Sequence, residues 1–485
     1  MRTLVWFRGK DLRVRDHLAL REAAQAGDVV PLFVLDPFFF APERAAELPH
    51  RIQFLLDSLR ELQGNIAALG SRLLVTAGKS IDVVPELAKS MSVDRVVGYR
   101  WSEPVGRKRD AIVAKRLDVP FLLYEGETLA APGTLRTGSG GPYHVFTPFA
   151  RAFAKAITVD APAPAPAKLP PLPRGVDKHV REHAIPTMTD LGLTANAGIT
   201  PGGEKMAHER LAHFVKTTGA HYEETRNRMD LLGTSRLSQD LKFGTLSAAT
   251  VWHAVQDGLV NHPKARAVYA NELLWREFTH ATLWDRPSVL QKTFRPDFAA
   301  FPWRKPADAD ADWVAWVEGM TGYPVVDASA RELLAAGFVH NRARMISASF
   351  LTKHLLIDYR RGEAHYMKFL TDGDWAQNNM GWQWSAGCGC DAQPYFRVFN
   401  PVTQGEKFDP EGDYVRRWVP ELRKMDAKYI HSPWTAPDDA LRAAGVTLGK
   451  SYPRPIVVHE KARERFLKTA ATFRGKKSET ENEAP

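Results

Sequence analysis

Residues 1–35 read MRTLVWFRGKDLRVRDHLALREAAQAGDVVPLFVL. The runs Leu4–Phe7 and Val29–Leu35 are short, apolar and rich in β-branched residues, and each predicts a strand. The same signal returns at Arg72–Thr76, Arg95–Tyr99 and Phe121–Tyr124, with helical stretches between. A long amphipathic segment from Arg51 to Leu69 separates the second and third runs. This alternation predicts an α/β, Rossmann-like domain with a parallel, doubly wound sheet over residues 1–130. No G-x-G-x-x-G follows the first run, so dehydrogenase-type dinucleotide binding finds no support there.

Beyond this region the pattern changes. The stretch Ala161–Pro173, APAPAPAKLPPLP, has the composition of a semi-rigid extended connection, so residues 131–200 are read as an interdomain linker. From Met206 to Arg361 the apolar period is helical, which predicts a larger all-helical domain over residues 201–450. Residues 451–485 are read as a C-terminal tail, with the polar end RGKKSETENEAP frayed.

The chain has 485 residues, enough for two or three domains, and its 44% hydrophobic and 25% charged residues are those of an ordinary soluble protein. Lys and Arg number 65 against 56 Asp and Glu, and the net charge of +9 points to a polyanionic partner, nucleic acid being the commonest. Two cysteines, Cys388 and Cys390, cannot build a disulfide framework or a four-cysteine metal site, and they are taken as packing residues. They suit a reducing cytoplasm, and neither a signal peptide nor a membrane span is read. No metal site is expected.

Several motifs carry chemistry. Gly233-Thr234-Ser235-Arg236-Leu237-Ser238 places hydroxyls and a glycine before a helical segment. Such a helix start suits a phosphate or pyrophosphate, although a plain N-cap has the same look. Glu272, Trp275 and Arg276 fall on one helix face, where a surface Glu272–Arg276 ion pair is the plainer alternative. Asn341 and Met345 share another face. Asp374, Asn378 and Trp382 recur every fourth residue, so a helix there would line a carboxylate, an amide and an indole along one edge. Three of the 13 tryptophans, Trp375, Trp382 and Trp384, crowd this stretch with Asn378 and Asn379, as in a stacking pocket for a flat ligand.

In this order the motifs are specific. LVWFRGKDLRVRD at 4–16, PYHVFTPF at 142–149, GTSRLS at 233–238, NELLWREF at 271–278 and TGYPVVDA at 321–328 are followed by HNRARMISASFLTKHLLIDY at 340–359. DGDWAQNNMGWQW at 372–384 and FRVFNPVTQGEKFDPEGDYVRRWVPEL at 396–422 complete the set. Over nearly its whole length the sequence resembles the photolyase/cryptochrome family. The resemblance implies a Rossmann-like antenna domain and a helical domain holding FAD. By motif, Tyr222, Thr234, Ser235, Leu237 and Ser238 would hold the phosphates and ribityl chain. Glu272, Arg276, Asn341, Arg344, Asp372, Asp374 and Asn378 would surround the flavin, with Asn378 facing N5. Trp275, Met345 and Trp384 would line the cavity for the lesion, with Glu272 and Asn341 on its polar side. Arg226 and Arg342 would grip the DNA backbone.

Within the family, the pocket implies a cyclobutane pyrimidine dimer photolyase. Relatives that repair (6-4) lesions carry histidine at the positions of Asn341 and Met345. Single-strand-preferring relatives carry glutamine and tyrosine at Met345 and Trp384, and plant-type cryptochromes carry aspartate at Asn378. The implied reaction is light-driven repair of UV-damaged DNA, by electron transfer from excited reduced FAD to a flipped-out dimer. No membrane and no protein partner is required, and a monomer is expected. The alternative is a cryptochrome-type blue-light receptor with the same fold and FAD. A second antenna chromophore, methenyltetrahydrofolate or a deazaflavin, is left open, because the folate-binding Asn-Glu pair of some relatives has no match near Glu103. Photoreduction in the family runs through three tryptophans. Here Trp382 and Trp303 would be the first and last, while Tyr359 replaces the middle one, so Tyr359 either relays the hole or is bypassed through Trp375 or Trp316.

Overall fold

The computed structural model describes residues 1–392 and 397–482, with the backbone alone over 474–482. All five expected strands form: β1 (Arg2–Phe7), β2 (Asp28–Leu35), β3 (Leu74–Ala77), β4 (Arg95–Tyr99) and β5 (Phe121–Tyr124). They pair in parallel in the order β3-β2-β1-β4-β5, with Leu4 opposite Val30, Leu32 opposite Leu74 and Val96 opposite Phe121. Both faces are covered. Val5, Phe7, Phe33 and Val75 pack with Leu55, Leu59 and Leu62 of helix α1 (Pro49–Ala68). Leu4, Trp6, Leu32 and Val96 pack on the other side with Val84, Leu87 and Val113. Two buried faces explain why β1 and β2 read as near-continuous apolar runs.

The chain forms two compact units. The first comprises Met1–Glu223, Thr234–Pro287 and Thr371–Ala376. Besides the sheet it contains helices α2 (Phe146–Ala156) and α3 (Pro263–Asp285), so sheet and early helices share one body. The Pro-rich stretch Ala161–Pro173 forms no helix or strand. The second unit comprises Glu224–Gly233, Ser288–Leu370 and Gln377–Pro485. Its helices include α4 (Pro306–Glu318), α5 (Asn341–Ser349), α6 (Tyr359–Phe369) and α7 (Trp375–Ala386), the first two residues of α7 counting with the first unit.

The region read as a tail, 451–485, holds helix α8 (His459–Asn482). Ala462, Phe466 and Ala470, each a turn apart, are buried, and Phe466 and Ala470 enter the core of the second unit. That apolar stripe lies upstream of the polar end whose composition suggested fraying; the side chains of 474–482 and all of 483–485 lie outside the described residues, as does Phe396. Among the described residues no helix is long and apolar enough to cross a membrane. Cys388 and Cys390 are buried, and burial pushes the Cys388 thiol up to about 12.

Candidate functional site

In the first unit, α3 is helical through Glu272, Trp275 and Arg276, so the three stand within little more than a turn, as their spacing requires. Arg276 is buried, and its Nη1 donates to the backbone oxygen of Glu127 at 2.7 Å. Trp275 is half-buried and stacks flat on Phe146, the first residue of α2, with ring centroids 3.9 Å apart and planes at 7°. Just before the short helix Ser238–Phe243, the Tyr269 hydroxyl donates to Ser235 Oγ at 2.9 Å. Tyr269 also packs on Tyr222 with centroids 5.0 Å apart, and Leu237 is buried in the same cluster. The GTSRLS turn is thereby fixed with its hydroxyls Thr234, Ser235 and Ser238 in sequence.

A buried charge network lies beneath these residues. Lys10 Nζ pairs with Glu103 at 3.0 Å, with Glu127, and with Asp374 Oδ2 at 3.7 Å. Lys242 Nζ reaches the same Glu103 and Asp374 oxygens at 3.0 and 3.7 Å. His280 Nε2 is 3.8 Å from Asp374, and its Nδ1 lies 2.7 Å from the Ser102 hydroxyl. Burial alone would neutralise Lys10, but Glu103, Glu127 and Asp374 together raise its pKa above the ordinary lysine value. Burial likewise opposes charge on Glu127 and Asp374; Lys10 and His280 prevail, holding Glu127 at about 2 and Asp374 far below the usual carboxylate range. Burial dominates at His280 and lowers it to about 4, so the imidazole is neutral at pH 7. Glu127, His280 and Asp374 converge closely enough to suggest a metal, but the Lys10 ammonium already supplies the cation.

Above this network opens a cavity of about 540 Å³. It is lined by the carboxyl ends of β1 and β2 and by the segment after β4, including Trp6, Trp101, Phe39, Arg44, Arg51 and Arg109. This is the switch point of the sheet, where doubly wound folds bind ligands. The sequence reading missed Lys10, Glu127, Lys242 and His280. They are scattered over some 270 residues, and no local period links them.

In the second unit, α5 carries Asn341, Arg342, Arg344 and Met345, and its N-terminus is capped by His340 Nδ1 accepting from the Arg342 N–H. Arg344 Nε donates to the Val339 oxygen at 2.7 Å. Arg342 Nη2 donates to Asn227 Oδ1 at 2.7 Å, and its guanidinium lies 4.3 Å from the Phe408 ring centre. Burial, then the like charges of Arg226 and Arg397, lower the Arg342 pKa. The like charges of Arg226 and Arg397 thus both act on Arg342, and Arg397, although within the 396–422 stretch, was given no role by the sequence.

On α7, Asn378 Nδ2 donates to the Glu363 backbone oxygen at 3.0 Å. That fixes the amide so that its carbonyl oxygen is a neutral acceptor. Next to it, Asn379 Nδ2 donates to Glu363 Oε1 at 2.9 Å, and Gln383 Nε2 to Asn379 Oδ1 at 3.0 Å. Burial raises the Glu363 carboxyl to about 7. Trp382 meets the rings of Tyr366 and Trp316 at 5.1 and 6.1 Å, and Trp316 stacks on Trp313 at 5.4 Å. Tyr359 is fully buried beneath the Arg360 guanidinium, 5.0 Å from its ring centre. Trp303 packs on Phe301 at 4.4 Å, and Trp384 is half-buried.

The expected residues therefore divide between the units. Tyr222, Thr234, Ser235, Leu237, Ser238, Glu272, Trp275, Arg276, Asp372 and Asp374 belong to the first. Arg226, Trp303, Asn341, Arg342, Arg344, Met345, Tyr359, Asn378, Trp382 and Trp384 belong to the second. Within the first unit the Thr234, Ser235 and Ser238 hydroxyls suit phosphate groups, and within the second Asn378 offers a fixed neutral amide.

Comparison with known proteins agrees. Residues 3–168 match the family described as DNA photolyase, and residues 269–472 match the FAD binding domain of DNA photolyase. A deoxyribodipyrimidine photo-lyase of Agrobacterium fabrum is 42% identical over 97% of this chain and 98% of its own. A bacterial class III photolyase from Agrobacterium tumefaciens superposes with a TM-score of 0.89 at 39% identity, covering 98% of each chain. A cryptochrome from Synechocystis superposes at 0.87 with 30% identity, covering 97% of this chain and 99% of that one. With two family domains matched in order and near-complete relatives at this identity, the chain belongs to the DNA photolyase family.

Proposed function

We propose that this protein binds FAD and uses blue light to split cyclobutane pyrimidine dimers in DNA. The observation that carries the reading is the pair of helix faces. In the first unit α3 carries Glu272, Trp275 and Arg276, in the second α5 carries Asn341 and Met345 a turn apart, and the reading is supported by the full-length similarity to deoxyribodipyrimidine photo-lyases. Thr234, Ser235 and Ser238 would hold the FAD phosphates, and when bound and reduced the flavin would supply light-driven one-electron chemistry with no net redox change. The protein's part is placement. Trp275 and Trp384 offer apolar faces to a flipped-out dimer, which stacks and pairs poorly in the duplex and is cheap to extrude. Glu272 and Asn341 hydrogen-bond its carbonyl and imide edges. Asn378, whose amide is fixed on the Glu363 backbone oxygen, would offer a neutral acceptor to the flavin and would not repel an electron-rich ring as a carboxylate would.

Arg226, Arg342 and Arg397 are assigned to DNA phosphates, and the protein is assigned to the cytoplasm as a monomer needing no protein partner. For a second, light-harvesting chromophore we assign the 540 Å³ cavity, whose tryptophans and arginines suit a flat, anionic molecule. The photoreduction route we favour leads from Trp382 through Trp316 to Trp313, supported by their successive ring contacts.

The deciding experiment gives the FAD-loaded protein an oligonucleotide with a single thymine dimer. Repair under blue light and none in the dark is expected. An FAD-loaded protein that leaves the dimer intact under light would instead be a receptor of the cryptochrome kind.

A further inference from the structure

Phe146 lies in the stretch PYHVFTPF at 142–149. It is the first residue of α2, and α2 turns Phe146, Phe149 and Phe153 toward neighbouring helices. Phe146 lies against Trp275 as a close parallel stack at 3.9 Å and 7°. Aromatic pairs left to themselves favour offset or edge-on geometry, so such a stack is held by what surrounds it. Phe278 is the brace, meeting Phe146 edge-on at 6.1 Å and 71°, and Trp275 at 5.8 Å and 77°. Phe149 in turn packs on Phe278 at 5.3 Å. One face of the indole is thus covered by a phenyl ring that Phe278 braces edge-on, Phe278 itself being packed on Phe149.

We infer that Phe146 is a positioning residue for lesion recognition, a backing plate that holds Trp275 in the plane on which one pyrimidine of the dimer stacks. The inference rests on the reading that Trp275 lines the dimer cavity. Its physical content is pre-organisation. An indole already fixed in orientation does not have to be ordered when the dimer arrives, and the base completes a three-layer stack on the opposite face. A phosphate contact elsewhere on the DNA gains nothing from this, so the effect is confined to damaged DNA.

The test measures affinity for a duplex with one thymine dimer and for its undamaged counterpart. It uses FAD-loaded parent, Phe146→Ala, Phe146→Tyr, Trp275→Ala and the double variant. Phe146→Ala is expected to weaken dimer binding roughly two- to tenfold. Undamaged affinity, FAD content and the repair yield per bound dimer should stay at the parental level. Phe146→Tyr should restore binding, and Phe146→Ala should add nothing in the Trp275→Ala background. If Phe146→Ala loads FAD poorly, Phe146→Leu keeps the apolar volume without the flat face and takes its place. Weakened binding in Trp275→Ala with unchanged binding in Phe146→Ala would overturn the inference alone. Tighter binding in Phe146→Ala would also overturn it, since the phenyl ring would then be covering the face the lesion needs. Unchanged lesion preference in Trp275→Ala would overturn the cavity reading itself, and the backing plate with it.

Discussion

Tyr359 and Trp316 compete for the step after Trp382, and their surroundings differ. A tyrosine passes a positive hole readily only if its phenolic proton leaves. Burial first, and the nearby Cys388 next, raise the Tyr359 pKa well above its ordinary value near 10. The Arg360 guanidinium beside the ring disfavours a second positive charge there as well. Trp316 needs no proton loss, lies against Trp382 and passes on to Trp313, where the hole meets half-exposed surroundings. The Arg361 guanidinium 4.3 Å from the Trp313 ring centre opposes the last step, so proton loss from the Trp313 radical to water has to stabilise it. Flavin absorbance followed under illumination with a reductant decides the matter. Trp316→Phe should slow photoreduction by an order of magnitude or more, and Tyr359→Phe should leave it near parental. Enzyme reduced beforehand with dithionite should repair dimers equally well in both variants, because repair draws no electron from this route. A slow Tyr359→Phe with a parental Trp316→Phe would return the relay to the tyrosine.

At the scale of elements, α6 and α7 meet where Gly362 faces the indole of Trp382. A Cβ at Gly362 would overlap the edge of the Trp382 ring and Leu351 Cδ2, and the buried indole has no room to give way. Gly362→Ala should therefore destabilise the protein by about 1–3 kcal/mol, the usual range for overpacking a core. It should also displace Trp382 and slow photoreduction. Thermal unfolding and the same absorbance assay measure the two effects, and an unchanged melting temperature would show that the helices separate freely here.

Elements were also what the sequence announced best. Strands β1 to β4 were legible because strands buried on both faces are short apolar runs, the edge strand β5 because its run FLLY is apolar although little buried, and Pro49 to Ala68 because it is amphipathic. Glu272, Trp275 and Arg276 were legible as a set because helical period alone joins them. Phe146 was not, since nothing periodic connects it with Trp275. Lys10 and Asp374 both occur in recognised motifs, yet their pairing across 364 residues depends on the folded chain. Helix α8 was masked by averaging its apolar stripe with the polar end beyond it.

For the whole molecule, a net charge of +9 finds its local expression in Arg226, Arg342 and Arg397. A phosphate contact carries no information about the lesion. Arg342→Ala should thus weaken damaged and undamaged duplexes by the same factor. It should also flatten the slope of log K against log salt by about 0.9, one counterion's share. Binding titrations at several salt concentrations read both numbers, and a selective loss of lesion preference at unchanged slope would remove Arg342 from the backbone contacts. The first compact unit has one more property. It opens the chain with Met1 yet is completed only by Thr371–Ala376. On a ribosome adding about 5–20 residues per second, roughly twenty to seventy seconds separate the emergence of Lys10 from that of Asp374. Glu103 and Glu127 emerge early and keep the buried ammonium paired in the meantime, whereas Lys242 must wait for Asp374 to join Glu103 beside it. The five strands are thus all made long before the charge network beside them is complete, and a chain released anywhere before residue 371 would lack Asp374 and with it one of the carboxylates facing Lys10 and Lys242.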